Sequence, residues 1–486
     1  RVIVFDGAFG TFVQDLDLGP DDFGGASLEG CNEYLCITRP DVIRQMHSAF
    51  LDVGVDVLET ASFGSFSTVL SEYNISDKAY ELNVEAARLA RETANDYESS
   101  GKARYVAGSI GPGTKLPSLG HIRFTELRDA YVEQARGLIV GGADLFLIET
   151  CMDLLQIKAA MIACRQAMVA EGRQIPIQVQ VTMETTGRML VGSEIGAALT
   201  AISAMKPDVF GINCATGPAE MQEHLRHLSQ NASMPISVLP NAGLPSIVDG
   251  RTHYDLTPAE LAKFHHHHVH DLGIGIVGGC CGTTPAHLKA VVDAVSGMAA
   301  PKRTPIDEPS VSSIYSSVPM VQDKSFLIIG ERTNTNGSKA FRDAMIAGEW
   351  DNCSKIATEQ IREGAHVLDV CVDYVGRDGA IDMDEIASRF ATQASVPLVL
   401  DSTEPQVLEA GLMHIGGRAI LNSANLEDGE EVGCRMDRVF SLAREYGCAV
   451  ICLLIDERGQ ARDVEWKLEI AHRIHRIAVD RYGLSA

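Results

Sequence analysis

The chain has 486 residues, too many for a single hydrophobic core, so two or more domains are expected. With 41 basic against 65 acidic residues the net charge is -24, which argues against nucleic acid or an anionic membrane as partner, since both call for a basic surface. Hydrophobic residues at 45% and charged residues at 22% leave no room for a mostly disordered chain. No run of about 18 apolar residues occurs, so no membrane-spanning helix is expected. The 12 cysteines are scattered and too few for a disulfide scaffold of this length; a reduced, cytoplasmic setting fits them. The first residues, RVIVFDGAFGT, enter a strand directly and read as a trimmed start rather than a signal peptide.

In chain order, apolar runs of strand length fall at 2–6, 56–61, 105–110, 145–150, 177–182, 209–214, 236–241 and 274–279. The stretches between them carry helical periodicity, and several end in glycine just before the next strand, as a helix C-terminus requires. Continuous apolar strands alternating with helices predict a parallel sheet covered on its outer face. Eight such units over residues 1–298 predict an α/β domain of the (β/α)8 barrel type. A doubly wound open sheet is the alternative, but DGAFGT after the first strand is not its phosphate-binding fingerprint. Residues 299–324, rich in Pro and Ser, read as a linker. The alternation resumes at 326–331, 366–373, 397–401, 419–423 and 449–456. Residues 325–486 therefore predict a second, incomplete (β/α) barrel, about three β/α units short of closure.

Acidic or amide residues recur where strands end: Asp6, Glu59, Glu149, Asn213, Glu331, Asp369, Asp401 and Asn422. Each alone could cap the following helix; together they point to the strand-end rim, where barrel enzymes carry their chemistry. Cysteines gather there too. Cys214 ends the sixth strand, and Cys280 and Cys281 follow the eighth between glycines. Alternate strands of a barrel approach at its mouth, so three thiols can converge. Three thiolates suit a tetrahedral zinc with its fourth position open for a substrate. Glycines at 278, 279 and 282 let neighbouring side chains face one ion. Such a site is electron-rich, a poor generator of hydroxide but a good holder of a substrate thiolate, which implies alkyl transfer to sulfur. The alternatives are a redox role for the adjacent pair and a buried, inert Cys214. The run FHHHHVHD (264–271) reads as a solvated helix face, because consecutive histidines point different ways around a helix.

FDGAFGT, ETASFGS, GSIGPGTKLPSLGH, LIETCMDLLQIKAA, GINCATGP, PNAGLP and GGCCGTTPAH together resemble the homocysteine S-methyltransferase family, over the whole first domain. IGERTNTNGSKAF, GAHVLDVCVD, VLDST and AILNSANLEDG are similar to pterin-binding methyltransferase barrels. The two in this order resemble the N-terminal half of the cobalamin-dependent methionine synthases. The resemblance implies zinc on Cys214, Cys280 and Cys281. It implies Asp6 and Glu149 near the homocysteine ammonium, and the backbone of Gly7 and Ala8 facing its carboxylate. In the second domain it implies Asp369, Asp401 and Asn422 on the pterin ring of 5-methyltetrahydrofolate, with Glu331 and Asn334 lining the same mouth. Two positions depart from the pattern: Cys371 stands where the family usually has Asn, and Asn336 where Thr is commoner.

The function implied is methyl transfer in methionine synthesis. The zinc-held homocysteine thiolate takes a methyl group from methylcobalamin, which 5-methyltetrahydrofolate recharges at the second barrel. Cobalamin would be carried by a domain outside this chain, on the same polypeptide or another. Two other readings remain open: a homocysteine methyltransferase using a sulfonium or betaine donor directly, and a zinc- or thiol-binding module without turnover.

Overall fold

In the computed structural model, which describes residues 1–98, 102–248 and 251–485, every apolar run predicted above contains a parallel strand. The chain separates into two compact units. One comprises residues 1–116, 122–191 and 207–307; the other comprises 117–121, 192–206 and 308–486. No helix among the described residues is long and apolar enough to cross a membrane.

The first unit is built on β1 (Ile3–Val4), β2 (Val57–Glu59), β3 (Tyr105–Ile110), β4 (Leu145–Cys151), β5 (Ile177–Val181), β6 (Val209–Asn213), β7 (Ile236–Leu239) and β8 (Ile276–Val277). Each pairs in parallel with its sequence neighbour, and β8 pairs with β1. A parallel bridge between Phe5 and Val57, with Asp6 N–H donating to Val57 O at 3.1 Å, joins β1 to β2 and closes the ring. The strands are mostly apolar because both faces are covered, by helices outside and by packed side chains inside; the buried polar exceptions include Gln178 and Gln180 of β5. Phe5, Val57, Ala107, Leu147, Leu239 and Ile276 form one inner layer. Gly211 is required there: a Cβ on it would lie 2.1 Å from Ser237 O. The helices Phe124–Gly141 and Leu154–Glu171 stop at Gly142 and Gly172, both left-handed, as their sequences predict.

The histidine run lies in the helix Pro258–His270, opened by a capping box between Thr257 and Glu260. The expected solvated face holds for His266 and His270, which are exposed, and fails for His265 and His268, which are fully buried. Leu261, His265, His268 and Val269 make the i, i+4, i+7, i+8 stripe that faces the barrel, so helix register sends these two rings inward.

The second unit holds a five-stranded parallel sheet, β9 (Ile329–Gly330), β10 (Val367–Val370), β11 (Leu398–Asp401), β12 (Ile420–Ala424) and β13 (Ala449–Cys452), in sequential order with β9 and β13 at its edges. It is the expected incomplete barrel. Part of the stretch read as a linker is ordered as an antiparallel hairpin, Ser310–Ser312 with Ser317–Pro319. Val311 from that hairpin is fully buried against Val367, Val399 and Ile420, which lie at the starts of β10, β11 and β12, as first or second residue. The hairpin thus seals the end of this sheet opposite the strand ends that carry polar residues.

Candidate functional site

At the first barrel's mouth the three predicted cysteines converge. Their sulfurs all lie within 4.8 Å of one another, and Cys214 Sγ is 3.8 Å from Cys281 Sγ. Thiolates about 2.3 Å from a tetrahedral zinc sit about 3.8 Å apart, so the donor set matches that ion in kind and spacing. No other such group of three potential metal ligands occurs among the described residues.

The backbone explains how sequence places them. Cys214 follows β6 in a left-handed conformation, φ 57°, as does Ala215 at 56°, which is uncommon for residues with a Cβ. The thiol-bearing loops are laced to the end of β7: Cys214 N–H donates to Leu239 O at 3.1 Å, Cys280 N–H to Pro240 O at 2.8 Å, and Ala242 N–H to Cys281 O at 2.9 Å. Gly282 has φ 77°, and a Cβ there would strike the Tyr254 ring at 2.3 Å. Cys281 is held low, at about 3, by hydrogen bonds from Cys214 and Cys280 against the opposing effect of burial, with the Tyr254 phenol as a further donor. Cys280 is pushed well up, first by donating to Cys214 and then to Cys281. The trio therefore supports one thiolate before any metal arrives, and a divalent cation would draw off the remaining protons.

Beside the thiols lie three buried carboxyl groups. Asp6 accepts the Glu59 N–H on both oxygens, at 3.2 and 3.1 Å. Glu149 accepts from Ser109 Oγ at 2.5 Å and from Asn213 Nδ2 at 3.0 Å. Asn213 Oδ1 in turn takes the Thr150 N–H at 2.8 Å, so the ends of β4 and β6 are fixed to each other next to Cys214. Burial raises all three acids: Asp6 and Glu59 rise well above their ordinary range, and Glu149 rises to about 7, with the Cys281 charge adding to it. Glu59 Oε1 is buried without a hydrogen-bond partner. A pocket of raised, partly unsatisfied acids is built to receive a cation, because a positive charge would let them ionise. Gly7 and Ala8 are buried beside Asp6, and their N–H groups have no acceptor among the described residues. A Cβ on Gly7 would collide with Thr283 Oγ1 at 2.7 Å, which keeps that position glycine.

The second unit brings together Asn334, Asp369 and Asp401. Asn334 Nδ2 donates to Asp369 Oδ2 at 2.7 Å and to Asp401 Oδ2 at 3.2 Å, while its Oδ1 accepts the N–H groups of Asn336 and Gly337. Burial lifts Asp369 to about 6; the Asn334 bond opposes this, and the charges of Asp401 and Glu331 add to it. Asp401 is raised as well, by burial and then by Asp373. Asn422 lies beside Asp401 in register and half-buried, and Glu331 is exposed at the rim. The two departures from the family pattern meet each other: Asn336 Nδ2 reaches Cys371 Sγ at 3.8 Å. An amide donor therefore remains at this mouth, offered from the loop instead of from the strand end.

Four contributors were not assigned to the site from sequence. Glu59 and Asn213 stood among the rim residues without a role. Tyr254 comes from a hairpin, Pro245–Val248 with Arg251–Tyr254, that no periodic pattern announces. Arg435, whose Nε donates to Ser423 O at 3.2 Å, lowers Asp401 from within the second unit.

Comparison with known proteins agrees with this geometry. A family model described as homocysteine S-methyltransferase matches residues 3–295, and one described as pterin binding enzyme matches residues 330–486. The chain is 52% identical over 484 residues to a methionine synthase of Mycobacterium tuberculosis (strain ATCC 25618 / H37Rv) and 50% identical over 489 residues to that of Mycobacterium leprae (strain TN). Each match covers 100% of this chain and 40% of the relative, so the chain spans under half the length of these curated relatives. Among solved structures, the metallated homocysteine methyltransferase MmuM of Escherichia coli is 21% identical with a TM-score of 0.49, covering 60% of this chain and 96% of that one. By its three-thiol barrel and by the match across residues 3–295, the chain belongs to the homocysteine S-methyltransferase family.

Proposed function

We propose that this chain carries the homocysteine and 5-methyltetrahydrofolate sites of a methionine-forming methyltransferase. The observation that carries the reading is the convergence of Cys214, Cys280 and Cys281 beside buried acids. Cys214, Cys280 and Cys281 would hold zinc, which when bound supplies a position where a substrate thiol is kept as thiolate. Asp6, Glu59 and Glu149 would take the homocysteine ammonium and ionise as it enters, and the free N–H groups of Gly7 and Ala8 would take its carboxylate. The chain's own residues thus fix both ends of the amino acid and leave its sulfur at the mouth. Methyl transfer to that sulfur would be an in-line displacement, in which such positioning supplies much of the rate.

In the second unit Asn334, Asp369, Asp401 and Asn422 would hydrogen-bond the pterin of 5-methyltetrahydrofolate, whose edge alternates donors and acceptors. Asp369, raised to about 6, can carry a proton close to neutral pH where the departing methyl leaves a basic nitrogen. Methylcobalamin is the proposed methyl donor to homocysteine. It would reach both mouths as a mobile substrate, held by polypeptide outside these residues, and the work would take place in the cytoplasm. The matching pterin-binding unit favours this reading over a direct sulfonium or betaine donor.

The test is to supply the zinc-loaded chain with methylcobalamin and homocysteine and assay methionine. Methionine formation that is lost in Cys214→Ala is the expected result. Equal methionine formation from a sulfonium donor without any corrinoid would favour the direct-donor reading instead.

A further inference from the structure

The histidine run supplies a feature that the mouth residues alone do not explain. His265 Nε2 lies 2.8 Å from Gly278 O. His265 Nδ1 lies 3.4 Å from His268 Nδ1, and His268 Nε2 lies 2.9 Å from Gln222 Nε2. Gln222 Nε2 also donates to Pro218 O at 3.2 Å. One end of this series is chemically unambiguous, because a carbonyl only accepts. His265 must therefore present Nε2–H to Gly278 O and keep a lone pair on Nδ1. His268 must then donate from Nδ1, which leaves its Nε2 as acceptor for one proton of the Gln222 amide. The other amide proton goes to Pro218 O. Every donor has one acceptor, both imidazoles are neutral, and the direction of the whole chain is fixed.

The two ends are informative. Gly278 precedes Cys280 by two residues, and Pro218 lies in the loop that begins at Cys214. The segment at the end of β7 already laces the two thiol-bearing loops together on their inner side. The side-chain series joins them again on the outer side, through the helices Gln222–Asn231 and Pro258–His270. His265 and His268 are fully buried, so neither bond competes with water. Burial also pushes His265 down to about 4 and His268 well below its ordinary value, which preserves the neutral tautomers this series needs.

We propose that Gln222, His268 and His265 are positioning residues that set the spacing between the Cys214 loop and the Cys280–Cys281 loop, and thereby the affinity of the three-thiol site for its metal. The proposal rests on the zinc-thiolate reading given above. It makes the histidine run part of the metal site's support, without assigning it any ligand of its own.

The test compares the full chain with His265→Leu, His265→Gln and Gln222→Leu, using zinc affinity from chelator competition and the ring-nitrogen resonances of the two histidines. Outer partners of metal ligands are worth about 10–100-fold in affinity. His265→Leu should weaken zinc binding by about tenfold or more, and His265→Gln, which keeps a donor for Gly278 O, should recover most of that loss. The wild-type resonances should show His265 protonated on Nε2 and His268 on Nδ1; Gln222→Leu should disturb the His268 signal and weaken zinc in the same direction. Zinc affinity unchanged in His265→Leu, or equally poor in His265→Leu and His265→Gln, would overturn the proposal. If His265→Leu does not fold, unchanged affinity and unchanged resonances in Gln222→Leu would overturn it. Wild-type protein that takes up no zinc on three sulfurs would overturn the thiol-site reading and this proposal together, whereas zinc on three sulfurs with indifferent variants overturns the positioning role alone.

Discussion

The two mouths use the same address in the fold, the C-terminal ends of parallel strands, but they are prepared for ligand differently. In the first unit the ring is closed, and the carboxyl groups of Asp6, Glu59 and Glu149 are buried and raised, with Glu59 Oε1 left without a partner. In the second the sheet has five strands, and the acids Asp369 and Asp401 are already bridged by Asn334. A closed barrel can keep carboxyl groups protonated and out of water until a cation arrives; an open sheet keeps its acids paired and partly solvated. The first site therefore bears electrostatic strain that ligand relieves, and the second is a hydrogen-bonding surface that exchanges partners.

The largest break in this contrast should come from a thiol. Loss of an outer partner already costs about 10–100-fold in metal affinity, so Cys281→Ala, which removes a ligand, should cost more and leave the purified chain essentially zinc-free. Circular dichroism of that variant should stay close to wild type, because the loop's backbone bonds remain. Wholesale unfolding would mean that the metal is structural.

Next in size is the pH response of the ligand-free first unit. Glu149 rises from an ordinary 4.5 to about 7 on folding. Its contribution to stability is present below the unfolded value and is lost as pH rises through about 7, so the ligand-free protein should become less stable between pH 5 and pH 8. A shift of that size in a fully buried group corresponds to about 3 kcal/mol. Glu149→Gln should flatten that slope in denaturant titrations and weaken homocysteine binding by about tenfold or more. Homocysteine should bind wild type more tightly as pH rises through 7, releasing protons that calorimetry in buffers of different ionisation enthalpy would count.

In the second unit Asn334→Ala should act the other way around. Without the amide, Asp369 and Asp401 face each other unbridged, so Asp369 should titrate above its present value of about 6 and 5-methyltetrahydrofolate should bind more weakly. Fluorescence titration across pH would show both. Smallest is Val311→Ala in the hairpin plug, which should cost about 1–3 kcal/mol and lower the unfolding transition of the second unit while leaving zinc uptake by the first unchanged.

Much of this architecture was legible in the residues. Thirteen apolar runs bounded by glycine and polar clusters each contain a parallel strand, because a strand buried on both faces is mostly apolar. Cys214, Cys280, Cys281, Asp6 and Glu149 were legible because strand ends fix which residues reach a barrel's mouth. What escaped depends on tertiary register. Four consecutive histidines hide which two face inward, although the stripe Leu261, His265, His268 and Val269 carries that signal. Tyr254 reaches Cys281 only because a hairpin folds back over Gly282. Val311 sits in a Pro- and Ser-rich stretch whose composition says linker, yet its side chain closes the floor of the second sheet. The Asn336–Cys371 contact joins two positions 35 residues apart, each of which looks like a loss on its own.

Whether Cys214, Cys280 and Cys281 form one thiol-activating centre is decided by X-ray absorption at the zinc edge with and without homocysteine. About one zinc per chain is expected, bound by three protein sulfurs before homocysteine is added and by four sulfurs afterwards. A site without zinc under reducing, metal-replete conditions, or one whose sulfur count is indifferent to homocysteine, would contradict it.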